Sequence, residues 1–571
     1  MDNRRLLLLL IFSFSLVMLW DAWLKYSQPK VAAPAASAAT EAPAPKPSVD
    51  LQTAAPAAKP SVSLQTAPPA TAAALATPDK AGTVTITTDV LIAEISRQGG
   101  DLIRLQFKDY KDSHDKDKPF ALFEAKHQYL AQSGLIGDGL ANHKTVFSVV
   151  DGPRELSGDA KTLELRLEAP PVNGVRVAKI YTFKRGSHLI ELAHEITNES
   201  DKEVAAHAYY QFQRDTKAPE GESSMVSTFT GPAVYTDRDK YQKVTFADIE
   251  KGNAKFATRA DDGWLAMVQH YFVSAWLPEP GAPREFYMRK VEGGANPAVA
   301  AGVIQAVPAA GPGSTVRTAI PLYAGPQVQA VLDQLAKPKA EGGIGAQGLP
   351  LVVDYGWLTI IAAPIFWCLE ALYGLVGNWG WAIVLLTVAI KLLFFPLSAA
   401  SYKSMAKMRT VTPRLMAIKE RYADDRQKLN QEMMALYKRE KINPLGGCLP
   451  IAVQIPVFIA LYWALLGAVE IRDAPWILWI TDLSAQDPYY ILPLIMMGTM
   501  LIQTKLNPTP PDPIQAKVMM MMPFIFGVMF FFFPAGLVLY WVVNNILSIA
   551  QQWQITRMIE GGTKVAKETK S

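Results

Sequence analysis

Lys391 is the residue that first asks for a chemical explanation. It lies inside the apolar run Trp379–Leu397, about two-thirds of the way along. A lysine at membrane depth costs about 3 kcal/mol on insertion scales. Snorkelling is one explanation, since the inner end of the run is only about 9 Å away along a helix. A buried ion pair is another, but the five apolar C-terminal stretches contain neither Asp nor Glu. The neighbours suggest a third. Thr387 precedes Lys391 by four residues and shares its helix face. In the next apolar stretch Gln454 and Phe458 share a face, and in the last Trp541, Asn544, Asn545, Ser548 and Gln552 form a stripe at helical spacing.

Polar side chains in lipid must face one another or water. As interhelical glue they would all be paired, and a lysine without a carboxylate argues against complete pairing. The reading favoured is a hydrated groove, open to cytoplasm and lipid, with Lys391 as its positive floor. Catalytic alternatives find little support. All seven histidines lie between His114 and His270, without HExxH or HxH spacing, and the two cysteines, Cys368 and Cys448, cannot build a four-cysteine site. The apolar stretches show no Ser–Lys or metal constellation. No enzyme, metal or cofactor is expected, and a net charge of +4 is too small to indicate DNA.

The elements that must position these residues are membranous. Charged residues are only 19% of the 571-residue chain and mean hydropathy is +0.10. Five stretches can span: Trp379–Leu397, Leu449–Val469, Tyr489–Gln503, Val518–Phe533 and Leu537–Ala550. The last two correspond to about 24 and 21 Å of helix against a hydrocarbon core of about 30 Å, which should thin the bilayer locally. Such thinning beside a wet half-channel favours moving polypeptide over conducting a solute. A small-solute transporter or channel is the alternative, against which stand the lack of an inverted repeat and of an acidic coupling residue.

Charge sets the topology. Residues 398–443 hold eleven Lys/Arg and five acids, which places this loop in the cytoplasm. It reads as two antiparallel amphipathic helices, with breaks at Pro413 and near Ala423-Asp424-Asp425. Either it is simply solvated, or it touches anionic lipid, nascent chain or ribosomal RNA. Parity then requires Tyr355–Val376, interrupted by Pro364 and charged by Glu370, to lie in the outer interface, with Trp357, Trp367 and Tyr373 at headgroup depth. Cys368 and Cys448 fall on opposite faces and cannot bridge.

Upstream, Arg4-Arg5 precede an apolar run without a close cleavage site, so residues 1–28 read as an uncleaved anchor. Residues 29–82 are a Pro/Ala-rich tether carrying the imperfect repeat Lys46–Thr53 and Lys59–Thr66. Residues 83–337 alternate with period two, as in Leu163–Leu167, and indicate a large antiparallel β-sandwich outside the membrane. A linker (338–354), the interfacial helix (355–376), a five-helix core (377–556) and a basic tail (557–571) complete the expected organisation.

Several stretches in the C-terminal part carry a resemblance: Ser404–Arg409, Gln431–Lys438, Asn443-Pro-Leu-Gly-Gly-Cys448, Asp482–Tyr490 and Gly536–Tyr540. In this order, across about residues 355–556, they resemble the YidC family of bacterial inner-membrane protein insertases. The anchor and large outer domain look like the Gram-negative form. The resemblance implies a multi-pass inner-membrane protein with both termini cytoplasmic and the β domain periplasmic. It implies insertion and folding of membrane proteins, alone or with the Sec translocon. Nascent membrane proteins are the implied partners, with the ribosome, the signal recognition pathway and anionic lipid as further candidates. It maps the groove cation to Lys391, where many members have Arg, and substrate-facing residues to Thr387, Gln454, Phe458, Tyr540 and Trp541, with Asn544 beside them. Lys403, Lys407, Arg409 and Arg414 become the hairpin contacts. The outer domain would resemble a sugar-binding-type supersandwich without enzymatic activity.

Overall fold

The structure, a computed structural model, describes residues 82–112, 115–219, 228–291, 297–422, 425–440, 449–507 and 513–568. The expected anchor and tether, and Cys448, lie outside them. The alternating segments form two antiparallel sheets of nine described strands each. The first runs Thr83–Thr87, Leu91–Ser96, Leu102–Lys111, Leu130–Ile136, Val204–Asp215, Ala298–Ala310, Arg284–Val291 and Arg259–Ala260, with Pro119–Phe123 added beside Leu102–Lys111. The second runs Lys240–Lys243, Gly231–Thr236, Trp264–Val268, Phe272–Trp276, Thr315–Pro326, Leu189–Asn198, Val175–Lys184, Thr162–Glu168 and Ser148–Val149.

The sheets pack face to face. Phe212 of the first stacks on Trp276 of the second with ring centroids 5.4 Å apart, and alternate residues such as Leu163, Leu165 and Leu167 fill the space between. The interior also holds a lysine–aspartate pair. Lys179 is fully buried and donates to the carbonyls of Gly99 (2.5 Å) and Ser133 (3.1 Å), with Asp101 3.8 Å away. Burial pushes the Asp101 carboxyl up and the Lys179 amine down, while their mutual attraction opposes both shifts.

Three strands of the second sheet do not alternate. Gly231–Thr236, Trp264–Val268 and Phe272–Trp276 are buried at every position. One face of these strands lines the sandwich core. The other joins a second core with helix α1 (Gln329–Ala336), residues 346–369 and the C-terminal helices. A strand covered on both sides reads as a continuous apolar run.

The C-terminal part is helical: α2 (Thr359–Val376), α3 (Trp379–Leu393), α4 (Phe395–Arg421), α5 (Arg426–Arg439), α6 (Leu449–Gly467), α7 (Ile491–Leu506), α8 (Pro513–Phe530) and α9 (Ala535–Glu568). The side chain of Asn378 caps α3 by accepting from Trp381 N at 3.1 Å, and Asp425 caps α5 through Gln427 and Lys428. Among the described helices α2 alone is long and apolar enough to cross a membrane by itself. The first part of α4 qualifies together with α3, from which it is bent by 65°, while α6, α7 and α8 contribute shorter apolar segments.

Three details differ from the sequence reading. The run Trp379–Leu397 is not one straight helix, because it turns at Phe394 into α4, which carries Pro396 in its first turn. Pro413 and Pro364 break nothing, and α4 and α2 run through them. Pro413 is exposed, so water can serve the carbonyl it frees. The basic tail, finally, is not separate, since α9 continues to Glu568.

Candidate functional site

Helices α3, α6 and α9 bring most of the expected polar residues together. Lys391 is 8% exposed, and its ammonium donates to the Ser548 hydroxyl of α9 at 2.7 Å. Ser548 in turn donates to the Asn544 carbonyl at 2.7 Å, one turn earlier on the same helix. The Asn544 side chain accepts from Gln454 Nε2 of α6. Phe458, one turn further along α6, packs edge-on against Trp541 at 4.5 Å and lies 6.2 Å from Tyr540. The acceptor for Lys391 is a neutral hydroxyl, in keeping with the lack of Asp and Glu in the apolar stretches of these helices.

Thr387 is buried but turned to its own helix, donating to the Ile383 carbonyl at 2.7 Å. The α9 stripe divides. Asn544 and Ser548 face Lys391 and Gln454, whereas Asn545 donates to Thr499 of α7 at 3.2 Å. Gln552 donates to Leu506 O at the end of α7 and to Asn507 Oδ1 just beyond it, at 3.1 and 3.2 Å. Those two residues are interhelical glue. A narrow, partly open cleft remains beside Lys391, lined by Ile390, Phe394, Leu397, Ser398, Val453, Gln454 and Val457. Ser398 has no signal in the sequence beyond its place just after the apolar run, whereas Ser548 lies on the expected stripe, four residues after Asn544, without being assigned to the substrate-facing set.

In the hairpin, Val411, Leu415 and Leu436 form a small core between α4 and α5. Lys403 and Lys407 are exposed, and Arg414 pairs with Glu440 at 2.8 Å. The Arg409 side chain lies outside the described residues, as does that of Trp357. Trp367 is exposed, and Tyr373 stacks on Trp379 at 4.2 Å.

At the opposite end of α6 the chain grips the sandwich. The Arg472 guanidinium sits over Phe120, Phe272 and Tyr271, with 5.0, 5.2 and 5.8 Å to the ring centroids, and donates to Lys111 O at 2.6 Å. His270 Nε2 donates to Leu466 O at 2.8 Å, and Glu470 accepts from the Gln329 amide at 3.2 Å. Burial holds His270 down at about 4, helped by Arg472, and pushes Glu470 up to about 7. These anchors, conspicuous in three dimensions, join segments some 140 to 360 residues apart in sequence.

A two-sheet sandwich gripping a set of apolar helices, one with a buried cation, defines a membrane protein with a large extramembrane β domain. Residues 371–563 match the family model described as "60Kd inner membrane protein", and residues 83–368 match "YidC periplasmic domain". The chain is 62% identical over its whole length, and that of the relative, to "Membrane protein insertase YidC" of Dechloromonas aromatica. It is 57% identical to the protein of that name in Aromatoleum aromaticum, covering 99% of this chain and 100% of that one. For Thiobacillus denitrificans the figures are 52% and 99% of each. The chain belongs to the YidC family of membrane protein insertases. It is a bacterial inner-membrane protein, its β-sandwich is the family's periplasmic domain, and its relatives are named as insertases, not enzymes.

Proposed function

We propose that this insertase works through the cluster around Lys391. An incoming segment brings acidic or polar residues to the cleft between α3 and α6, where they replace Ser548 as partners of the Lys391 ammonium. The Gln454–Asn544 bond must open at the same time, because it closes the polar row beside the cleft. The apolar part of the segment then slides into lipid past Phe458, Tyr540 and Trp541. Its polar flank is released on the far side. Apolar transfer drives the process, and the membrane potential assists acidic flanks moving outward.

In this reading residues 1–28 anchor the chain, 29–82 tether the sandwich at 83–337, and 338–354 lead to an interfacial helix at 355–376. The core at 377–556 crosses five times, and both termini, the 398–443 hairpin and the tail at 557–571 are cytoplasmic. The hairpin, through Lys403, Lys407, Arg409 and Arg414, meets nascent chain, ribosome or anionic lipid. The protein acts alone or beside the Sec translocon, without a cofactor.

One observation carries the proposal: a buried cation whose partner is a neutral hydroxyl, set among polar residues from three helices. The test is a photoreactive amino acid at Gln454 or Trp541 in the presence of a stalled nascent membrane protein. Crosslinks to the nascent chain are expected. Crosslinks confined to lipid and neighbouring helices would remove the client path.

A further inference from the structure

The segment between α6 and α7 contains the run Trp476-Ile-Leu-Trp-Ile480. It folds as a tight turn closed by three backbone bonds: Leu483 N donates to Ala474 O (2.9 Å), Trp476 N to Ile480 O (3.0 Å) and Ile480 N to Ile477 O (3.1 Å). At its tip Leu478 is 82% exposed and Ile477 38%. Leu478 has φ +55°, in the left-handed region that a leucine rarely adopts. Its exposure shows that the side chain projects away from the fold.

The turn is fixed to the start of α3. Asn378 Nδ2 donates to the carbonyls of Pro475 (3.1 Å) and Trp476 (3.3 Å), and the Trp476 ring meets Trp381 edge-on at 5.7 Å. Gly380 leaves the space that the Trp476 ring occupies. Two nearby carboxylates are turned inward, and a third, Asp473, pairs with Lys116. Asp487, 1% exposed, accepts from Trp479 Nε1 (3.1 Å), Tyr489 N (3.0 Å) and Leu492 N (2.7 Å), and Asp482 accepts from Asp473 N and Ser484 N.

We propose that the Ile477-Leu478 tip inserts into the outer leaflet, with the glycerol and upper acyl region of phospholipid as its partner. The exposed apolar surface of α3, from Trp381 through Leu385 to Leu392, is continuous with the turn, so one lipid-facing surface includes both. Indole rings flanking an apolar tip suit the membrane–water interface. Lipid fits better than a protein groove because the projecting surface is one side chain on the margin of a lipid-facing face. The proposal rests on the topology given above, which puts the α6–α7 segment outside.

The test uses the full chain in phospholipid vesicles, with Cys368→Ser and Cys448→Ser as background and a nitroxide at Leu478→Cys. Collision with oxygen and with a water-soluble nickel chelate is compared with labels at Leu392→Cys on α3 and Asp201→Cys on the sandwich. An oxygen-to-nickel ratio at 478 close to that at 392 is the expected result. A ratio like that at 201 overturns the proposal, and so does a label shielded from both reagents, which would mean a protein partner. Ile477→Cys replaces Leu478→Cys if the latter does not fold. An impermeant maleimide reports separately on Asp201→Cys in right-side-out and inverted membrane vesicles. Reaction from the cytoplasmic face alone would overturn the topology itself, whereas reaction from the outer face with a watery position 478 overturns only the tip.

Discussion

Lys391 of α3 and Ser548 of α9 are joined by a single 2.7 Å hydrogen bond between an ammonium and a neutral hydroxyl. The bond holds the charge inside the helix cluster, where Lys391 is 8% exposed. It is also replaceable, since a carboxylate offers a cation a stronger partner than a hydroxyl does.

Reversing the charge should therefore discriminate among clients. Lys391→Glu is expected to reduce insertion of segments with acidic flanks by an order of magnitude or more (about 1.4 kcal/mol per factor of ten), and to spare segments with neutral flanks. Protease protection of the translocated flank in proteoliposomes provides the measurement. Equal loss for both classes would point to damaged folding instead.

Asn544 and Asn545 are adjacent in sequence and face different neighbours. Asn545→Ala removes the bond to Thr499 and should lower stability by about 0.6 kcal/mol, a typical value for a hydrogen bond between membrane helices, with insertion unchanged. Asn544→Ala frees Gln454 and should change crosslinking from position 454 to the client. Equal effects of the two substitutions on crosslinking would contradict the division of the stripe.

Arg472→Lys keeps the charge but loses the planar group that covers three aromatic rings. Exchange of backbone amides at 468–473 and 110–112 should quicken, by a free energy of about 1–2 kcal/mol for a desolvated cation–π contact. Strands deep in the sandwich, such as Val204–Asp215, should be unaffected. Uniform acceleration across the chain would mean that Arg472 supports the whole fold.

The same junction has two opposed pH dependences. His270, held down at about 4 against an ordinary 6.5, is neutral when folded. Its contribution is complete above pH 6.5 and falls away as the pH drops toward 4. Glu470, pushed up to about 7 from 4.5, binds a proton more readily when folded. Its contribution is complete below pH 4.5 and is lost as the pH rises through 7. Arg472 faces the first group and Glu370 the second, each reinforcing the shift. Glu470→Gln should leave a junction that tightens from pH 4 to 6.5, and His270→Gln one that loosens from 4.5 to 7. Amide exchange at 466–472 across that range reads both, and slopes of the reverse sign would refute the assignment.

Much of this was legible in the sequence for simple reasons. A lysine in an apolar run and a polar stripe at helical spacing both stand out against lipid-compatible surroundings, and alternation over residues 83–337 signals half-buried strands. The partition of Asn544 from Asn545 was not, because neighbouring helical positions differ by about 100° and only packing decides which helix each meets. The bend at Phe394 had a signal in Pro396, since a proline favours a first helical turn and disfavours continuation from the residue before it. Trp264–Val268 and Phe272–Trp276 lack alternation because helices cover their outer face, which no local pattern announces. The Arg472 site depends on Lys111 and Phe120, more than 350 residues away.

Helix α9 runs unbroken from Ala535 to Glu568. Its 34 residues correspond to about 51 Å, against about 30 Å of hydrocarbon. If residues 537–550 cross the membrane as proposed, the remainder of α9 extends beyond the span on the same helix that carries Trp541, Asn544 and Ser548. Under that topology, a load on the C-terminal end of α9 would act on the helix that bears the hydroxyl holding Lys391.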